Sequence, residues 1–513
     1  MQRTCYTLII FCLIMLWSSC RKDFEYVRSS GNLQFSKDTV FLDTVFSNIG
    51  SSTYTLKVYN RSQDDILIPN IRLAQGQDSR YRLNVDGRAG KEFTNVTLLA
   101  QDSLFVFIET TFDISSVETS TFLYTDVIQF DNGGNQQEVP LVTLVQDAVF
   151  IFPGTNANGD KETLLLGVDV DGNEIRVQGV AMDPDQLNFT DEKPYVIYGY
   201  AAVPQNAVLS IDAGARVHFH QNSGIWVQPG ASIQINGELS TDSLLLEQEV
   251  IFEGDRLEPE FEDVPGQWGT LWLSEGSLNN QIDHLTIKNA TIGLLVEGND
   301  PQGASTLSIK NSRIYNSSSV NLWARTASID AENLVLGSAG NISLYCNLGG
   351  SYAFTHTTIA NYWSNGFRGG EALRIDNVVG LNSGETLTGD LRRADFTNSI
   401  IDGNSFIELA LSRNEDYPFN FSFTNCLIRF DDRNGLFDDN PLYDFGDSDF
   451  YDTVFLNEPT EFIAPSKNDF RLGETSAAIG RGLPEAAQSV PLDILGFDRT
   501  TNADLGAYQF FVE

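Results

Sequence analysis

A few side chains in this sequence have types and spacings that could do chemistry. His218 and His220 alternate with apolar Val217 and Phe219, so on a strand both imidazoles leave one face and could chelate a metal if a third ligand stood nearby. Arg392 and Arg393 beside Asp390 and Asp395 set a basic group near carboxylates that could bind Ca²⁺, although an exposed mixed-charge loop is the simpler reading. The run Asp438, Asp439, Asn440, Asp444, Asp447, Asp449 and Asp452, with Gly446 inside it, offers the hard oxygen ligands that Ca²⁺ prefers. It lacks EF-hand spacing and reads more simply as a solvated, turn-rich loop. No cofactor is therefore assigned, and Ca²⁺ is the one cation the acidic run would suit. Trp323 and Tyr345 occupy the same place in Val320-Asn321-Leu322-Trp323 and Ile342-Ser343-Leu344-Tyr345. Alternation puts both rings outside, stacked on adjacent rungs, with Trp363 and Phe367 close to the next rung. Flat aromatic faces suit sugar rings, and an aromatic row also stabilises a sheet by itself.

The elements that must position these groups follow from an internal repeat. Asn289, Asn311, Asn333, His356, Asn377, Asn398 and Asn425 share one local frame and recur at about 22 residues, with one longer step. Two positions before them stand apolar Ile287, Ile309, Ala331, Phe354, Ile375, Phe396 and Phe423, and the residue between is always polar. That is the period-2 pattern of a strand with one buried face. Three positions after the frame, apolar residues return in every case but Gly380. Parity points the frame residues inward, where amides stacked one per rung would satisfy each other in a structural ladder. Cys346 and Cys426 fall about three rungs apart, an axial offset of roughly 14 Å against a bridging limit near 7 Å between Cα atoms, so no disulfide is expected.

The rest of the chain bounds location and partners. Arg3, an apolar run at residues 7–17 and Ser18-Ser19-Cys20 form a short secretory pattern, too short for a permanent membrane span. The formal net charge is −37, which argues against a nucleic-acid partner. Removing residues 1–19 makes it one unit more negative and leaves Cys20, Cys346 and Cys426, too few for a disulfide framework. We expect a signal peptide over 1–19, a tether over 20–30, a β-sandwich of some seven strands over 31–147, and a connecting, capping segment over 148–208. A repeat rod then runs over 209–435, and final rungs with a closing segment over 436–513.

Three stretches carry a family resemblance. The N-terminus resembles a lipoprotein signal peptide, which implies acylation of Cys20 and a membrane partner through the lipid; Trp17 departs from the usual small or aliphatic residue. Residues 31–147 resemble the immunoglobulin-like spacer modules of surface lipoproteins in architecture alone, without a Cys/Trp core pair. Val208 to Gly298, including AVLSIDAGARVHF, VPGQWGTLWL and NNQIDHLTIKNATIGLLV, resembles the right-handed parallel β-helix repeats of Gram-negative surface proteins. The tail DFRLGETSAAIGRG with DILGFDRTTNADLGAY resembles that family's closing segment, with Ala477 where Pro is usual. The resemblance implies an all-β fold, a right-handed parallel β-helix preceded by a small β-sandwich, at the outer membrane and surface-exposed. It leaves function open, because the fold carries lyases, polygalacturonases, adhesins and scaffolds. Neither a Gly-His-Gly nor an Asn-Thr-Asp stretch of the polygalacturonase type exists. The expectation is a non-catalytic surface protein that presents a rod, with polysaccharide as the candidate ligand and Trp323 and Tyr345 as its platform. The rival is a polysaccharide lyase or glycoside hydrolase, which carboxylates gathered in one groove with a facing Arg or Lys would favour.

Overall fold

The structure is a computed structural model that describes residues 26–46, 49–112, 121–168, 172–242, 245–298, 305–381 and 384–511. The signal segment and Cys20 lie outside the described residues. The regular structure of the described chain is nearly all β, and the chain divides into two units, Met1–Asp147 and Ala148–Glu513. Among the described residues no helix is long and apolar enough to cross a membrane.

In the first unit, alternating sequences produce strands with one buried face. Gln137–Gln146, for example, buries Val139, Leu141 and Val145 and turns Glu138 and Pro140 outward. A six-stranded and a five-stranded sheet share one core, with Leu42, Ile68 and Ile128 from the first meeting Val58, Leu83 and Val106 from the second. The strands outnumber the seven expected, because short pieces such as Gln34–Phe35 and Arg88–Gly90 pair at the sheet margins.

In the second unit the chain runs round three parallel ladders. Leu307–Lys310 lies in the first, Arg313–Tyr315 in the second and Val320–Arg325 in the third, and Ser328–Glu332 then pairs in parallel with Leu307–Lys310. The first two ladders belong to a 19-stranded sheet and the third is a 10-stranded sheet. Inward residues of all three, such as Ile309, Ile314 and Leu322, form one apolar core. Near its end the core is a stack of rings, Phe354 on Phe396 at 5.1 Å and Phe396 on Phe423 at 5.0 Å. The segment expected to connect and cap, residues 148–208, contributes the first strands of both sheets. Val149–Ile151 pairs with Tyr195–Ile197, and the hairpin of Thr163–Val168 with Glu174–Ala181 opens the 10-stranded sheet.

Between the first and second ladders the chain turns on one residue with left-handed backbone: His284 (φ 46°), Asn311 (47°), Asn333 (51°), His356 (52°), Asn398 (51°) and Asn425 (49°). Asparagine enters this region at low cost because its short polar side chain bonds locally, which explains the recurring residue type. Asn311 Nδ2 donates to Asp283 Oδ1 (2.9 Å), Asn333 Nδ2 to Asn311 Oδ1 (2.9 Å), and Asn398 Nδ2 stands 3.0 Å from His356 Nε2.

The expected column needs correction at two members. Lys288 pairs with Tyr315, which sets Asn289 against Asn316 at the next corner, where Asn316 Nδ2 donates to Asn289 Oδ1 at 2.6 Å. Asn377 follows the third-ladder strand Leu373–Asp376 and accepts from Asn414 N at 2.6 Å. The inward direction is corrected too, because a left-handed residue breaks strand alternation. The amides point away from the apolar core, and those of Asn333, Asn398 and Asn425 bond the C-terminal segment. There Asn333 Oδ1 accepts from Arg499 Nη2 (3.0 Å) and its Nδ2 donates to Leu492 O (3.0 Å), while Asn425 Nδ2 donates to Arg481 O (2.8 Å).

That C-terminal segment lies along the rungs. Its Phe470, Leu472, Ile494, Leu505 and Ala507 pack on outward Val335, Ala360, Ile400 and Leu427 of the second ladder, forming a second apolar core.

Candidate functional site

The outer face of the 10-stranded sheet carries the most organised set of side chains outside the core of the second unit, half-buried at Trp272, Trp323 and Tyr345 and buried at Trp226. Pairing places Trp226, Trp272, Leu295, Trp323, Tyr345 and Arg374 in one column, one residue per rung. Each is flanked by inward residues, as Leu322 and Ala324 flank Trp323. Trp226 and Trp272 stand 5.5 Å apart with planes 24° apart, and Trp323 and Tyr345 stand 5.8 Å apart at 16°. The structure thus brings Trp323 and Tyr345 together and adds two tryptophans that the repeat frame missed. Their signal was the apolar-Trp-apolar triplet at Ile225-Trp226-Val227 and Leu271-Trp272-Leu273, hidden because insertions make the early coils unequal. Trp363 and Phe367 do not continue the row. Arg374 takes the next rung, Trp363 is buried, and Phe367 is exposed on a loop.

Two residues further along each strand runs a polar column, with Glu297 against Arg325, Arg325 against Asn347, and Asp376 on the following strand. It is bonded to the rings. Trp272 Nε1 donates to Glu297 Oε2 (2.8 Å), Trp323 Nε1 to Asn347 Oδ1 (3.4 Å), and Asn347 Nδ2 to both Tyr345 Oη (3.0 Å) and Asp376 Oδ1 (2.8 Å). Tyr345, Arg374, Asp376, Val378, Ala410 and Ser412 border a depression of about 390 Å³ at the end of the row. Burial pushes the Asp376 carboxyl above the usual carboxylate range, against the lowering pull of Leu348 N–H and Arg374. The Tyr345 hydroxyl is likewise held up, by burial first and by Asp376 second.

The other candidates are engaged elsewhere. His218 and His220 do not converge: His218 is buried 3.6 Å from Glu253, whereas His220 bonds Asp255 Oδ2 at 2.8 Å and stacks on Tyr198. Glu253 and Lys288, 2.7 Å apart, form a covered ion pair beside His218. Burial lowers the His218 pKa, and the bond to Asp255 raises that of His220. Arg392 pairs with Asp390 (3.2 Å), and Arg393 reaches Asp330 (3.0 Å) and Asp395 (3.8 Å), a surface network in which both arginines are paired. In the acidic run Asn440, Asp444 and Asp447 accept from the backbone N–H two residues on, at 3.0–3.1 Å, so these side chains hold turns. Among the described residues no cluster of three or more His, Cys, Asp or Glu could hold a metal ion. Cys346 and Cys426 are both buried and free.

No protein-family model and no curated protein matches the chain. Solved structures similar to parts of it include the ASH/PapD-like domain of human CEP192, at 10% identity over 25% of this chain and 94% of that one, TM-score 0.16. A family 123 glycoside hydrolase from Clostridium perfringens is 7% identical over 22% of this chain and 26% of its own, TM-score 0.16. BcpA, the major pilin subunit of Bacillus cereus, is 14% identical over 28% and 52%, TM-score 0.16.

Proposed function

We propose that this chain is a non-catalytic, lipid-anchored protein of the cell envelope, at the outer membrane and facing outward, that binds glycan along its rod. The second unit is read as a right-handed parallel β-helix of the surface-lipoprotein type, and the first as an immunoglobulin-like spacer. The unbroken circuit through three parallel ladders supports the first of these readings, and the shared core of two sheets the second. The observation that carries glycan binding is the double column on the 10-stranded sheet. Ring surface for the C–H faces of sugars runs beside Glu297 and Arg325, which can bond hydroxyls, while buried Asn347 and Asp376 fix Tyr345 behind them. Trp323→Ala should weaken retention on immobilised acidic and neutral polysaccharides at least tenfold with the fold retained; equal retention rejects the platform. The anchor rests on residues 7–20, and Cys20→Ala should move the mature chain from the membrane fraction to the soluble one.

A second reading, a polysaccharide lyase or hydrolase, is favoured by one observation: the raised carboxyl of Asp376 shares a depression with Tyr345 and Arg374. If it holds, polysaccharide incubated with the protein yields new reducing ends, and Asp376→Asn abolishes them while binding persists. Intact polymer after prolonged incubation leaves the binding reading alone.

A further inference from the structure

A second recess lies apart from the 10-stranded sheet, between the loop that follows strand Ser232–Asn236 and the C-terminal segment. It encloses about 790 Å³. One wall is Leu239, Ser240 and Thr241, and the other carries Ile463, Phe497 and Phe511. The two phenyl rings stack on each other at 4.7 Å, yet Phe511 is 58% exposed and Ile463 56%, so the wall presents apolar surface to solvent. The floor is a buried ion pair, in which Arg313 Nη1 donates to both oxygens of Glu249 at 2.6 and 2.7 Å while Thr286 Oγ1 donates to Glu249 at 3.0 Å. Arg313 Nε reaches Tyr508 Oη at 3.4 Å.

Counting donors shows what the floor has left. Glu249 has accepted three hydrogen bonds and is satisfied, whereas Arg313 Nη2, with two N–H groups, has no partner among the described residues. A guanidinium edge at the bottom of a recess is a ready partner for a carboxylate oxygen. Arg471 stands on the rim with its guanidinium on Asp469, and Glu474 is the one other rim acid, so the lining is close to neutral in a strongly acidic protein. We propose that this recess binds a small ring-bearing carboxylate, its acid group on Arg313 Nη2 and its ring against Phe497 and Phe511. A sugar acid and an aromatic acid share this chemistry, and the recess has room for either.

The test titrates full-length protein with glucuronate and with benzoate, using glucose and benzyl alcohol as their uncharged counterparts, and reads ligand-observed NMR. At least one acid should saturate the protein and bind no less than tenfold tighter than its uncharged partner; which one does so identifies the source. Phe497→Ala with Phe511→Ala, both at exposed rings, should weaken that acid at least tenfold. Arg313→Lys keeps a cation against Glu249 and removes the free amino group, and should weaken it comparably; should that variant not fold, the phenylalanine pair decides alone. Failure of both acids to bind overturns the proposal, as does equal binding of acid and uncharged ring, or binding insensitive to the phenylalanine pair. Trp323→Ala should leave the titration unchanged, so the recess stands or falls separately from the platform; loss in that variant would place the acid on the other sheet and overturn the proposal.

Discussion

Asn333→Leu is the sharpest test of the corner column. In the wild type, Asn333 closes three contacts, to Asn311 Oδ1, Leu492 O and Arg499 Nη2, and it is only 3% exposed. Leucine offers none of these. Arg499 keeps its bond to Ala507 O, but Asn311 Oδ1 and Leu492 O lose a donor beneath the C-terminal segment, at about 1–3 kcal/mol for each stranded group. The left-handed backbone adds about 1 kcal/mol for a residue that lacks asparagine's local bonding, giving a total on the order of 4 kcal/mol. Asn333→Gly keeps the conformation and loses only the bonds, so it should fall about 1 kcal/mol short of the leucine variant. Glu332, one residue earlier, is half-exposed and pairs with Lys310 at 2.8 Å on the surface, so Glu332→Leu should change stability by about 0.5 kcal/mol. The assay is the urea midpoint followed by tryptophan fluorescence, which reads the second unit alone because every tryptophan after Trp17 lies there. A glycine variant as stable as wild type, or a larger loss for Glu332→Leu than for Asn333→Leu, would refute the assignment of the column.

Further outcomes follow from buried groups. His356 is fully buried beside Arg499, and burial first, Arg499 second, hold its pKa well below the ordinary value. A histidine depressed in the folded state contributes stability above its unfolded pKa, near 6.5, and loses it on acidification, by about 1.4 kcal/mol per pH unit. His356→Asn, which supplies the residue type that most of the column uses, should flatten that loss between about pH 6.5 and pH 5, measured as urea midpoints across that range. Arg313→Met should destabilise by about 3–5 kcal/mol because Glu249 is left charged and buried, and Glu249→Met in the same chain should recover most of it; an unchanged thermal midpoint in the single variant would contradict the pairing. Cys346 and Cys426, buried with thiol pKa values raised by burial, should react with a thiol reagent only after denaturation, and two thiols should then titrate in a chain processed before Cys20 and acylated there.

The all-β character and the strand repeat were legible because a one-sided strand must alternate and a recurrent left-handed corner selects asparagine. The register was less legible. One coil carries an inserted hairpin, Val378–Gly380 with Thr386–Thr388, so the true step from His356 to Asn398 is nearly two ordinary periods, and Asn377 fell midway by coincidence. Asn289 misled in the same way, since it belongs to an equivalent corner one ladder on, while the proper member, His284, does not share its residue type. Of the aromatic face, Trp323 and Tyr345 could be read from equal-length coils. Trp226 and Trp272 could not be placed until strand pairing spanned the loops between them. The recess between Leu239 and Phe497 joins residues far apart in sequence, and no local pattern announces such a meeting.

A repeat protein whose rungs touch only their neighbours unzips from either end, because its stability is a sum of local terms. The C-terminal segment changes that arithmetic here. Asn468 Oδ1 accepts from Ser338 N, Leu492 O from Asn333, Ala507 N donates to Thr358 Oγ1, Gly506 N to Asn398 O, and Arg481 O accepts from Asn425. These contacts act as a longitudinal splint, so that loosening any one of several coils disturbs bonds shared with the others and the array melts as a block. The splint also lies C-terminal to every coil it binds, so during synthesis it follows them. Until it docks, each rung is held by its neighbours alone, so the rod gains its mechanical rigidity in one late step rather than coil by coil.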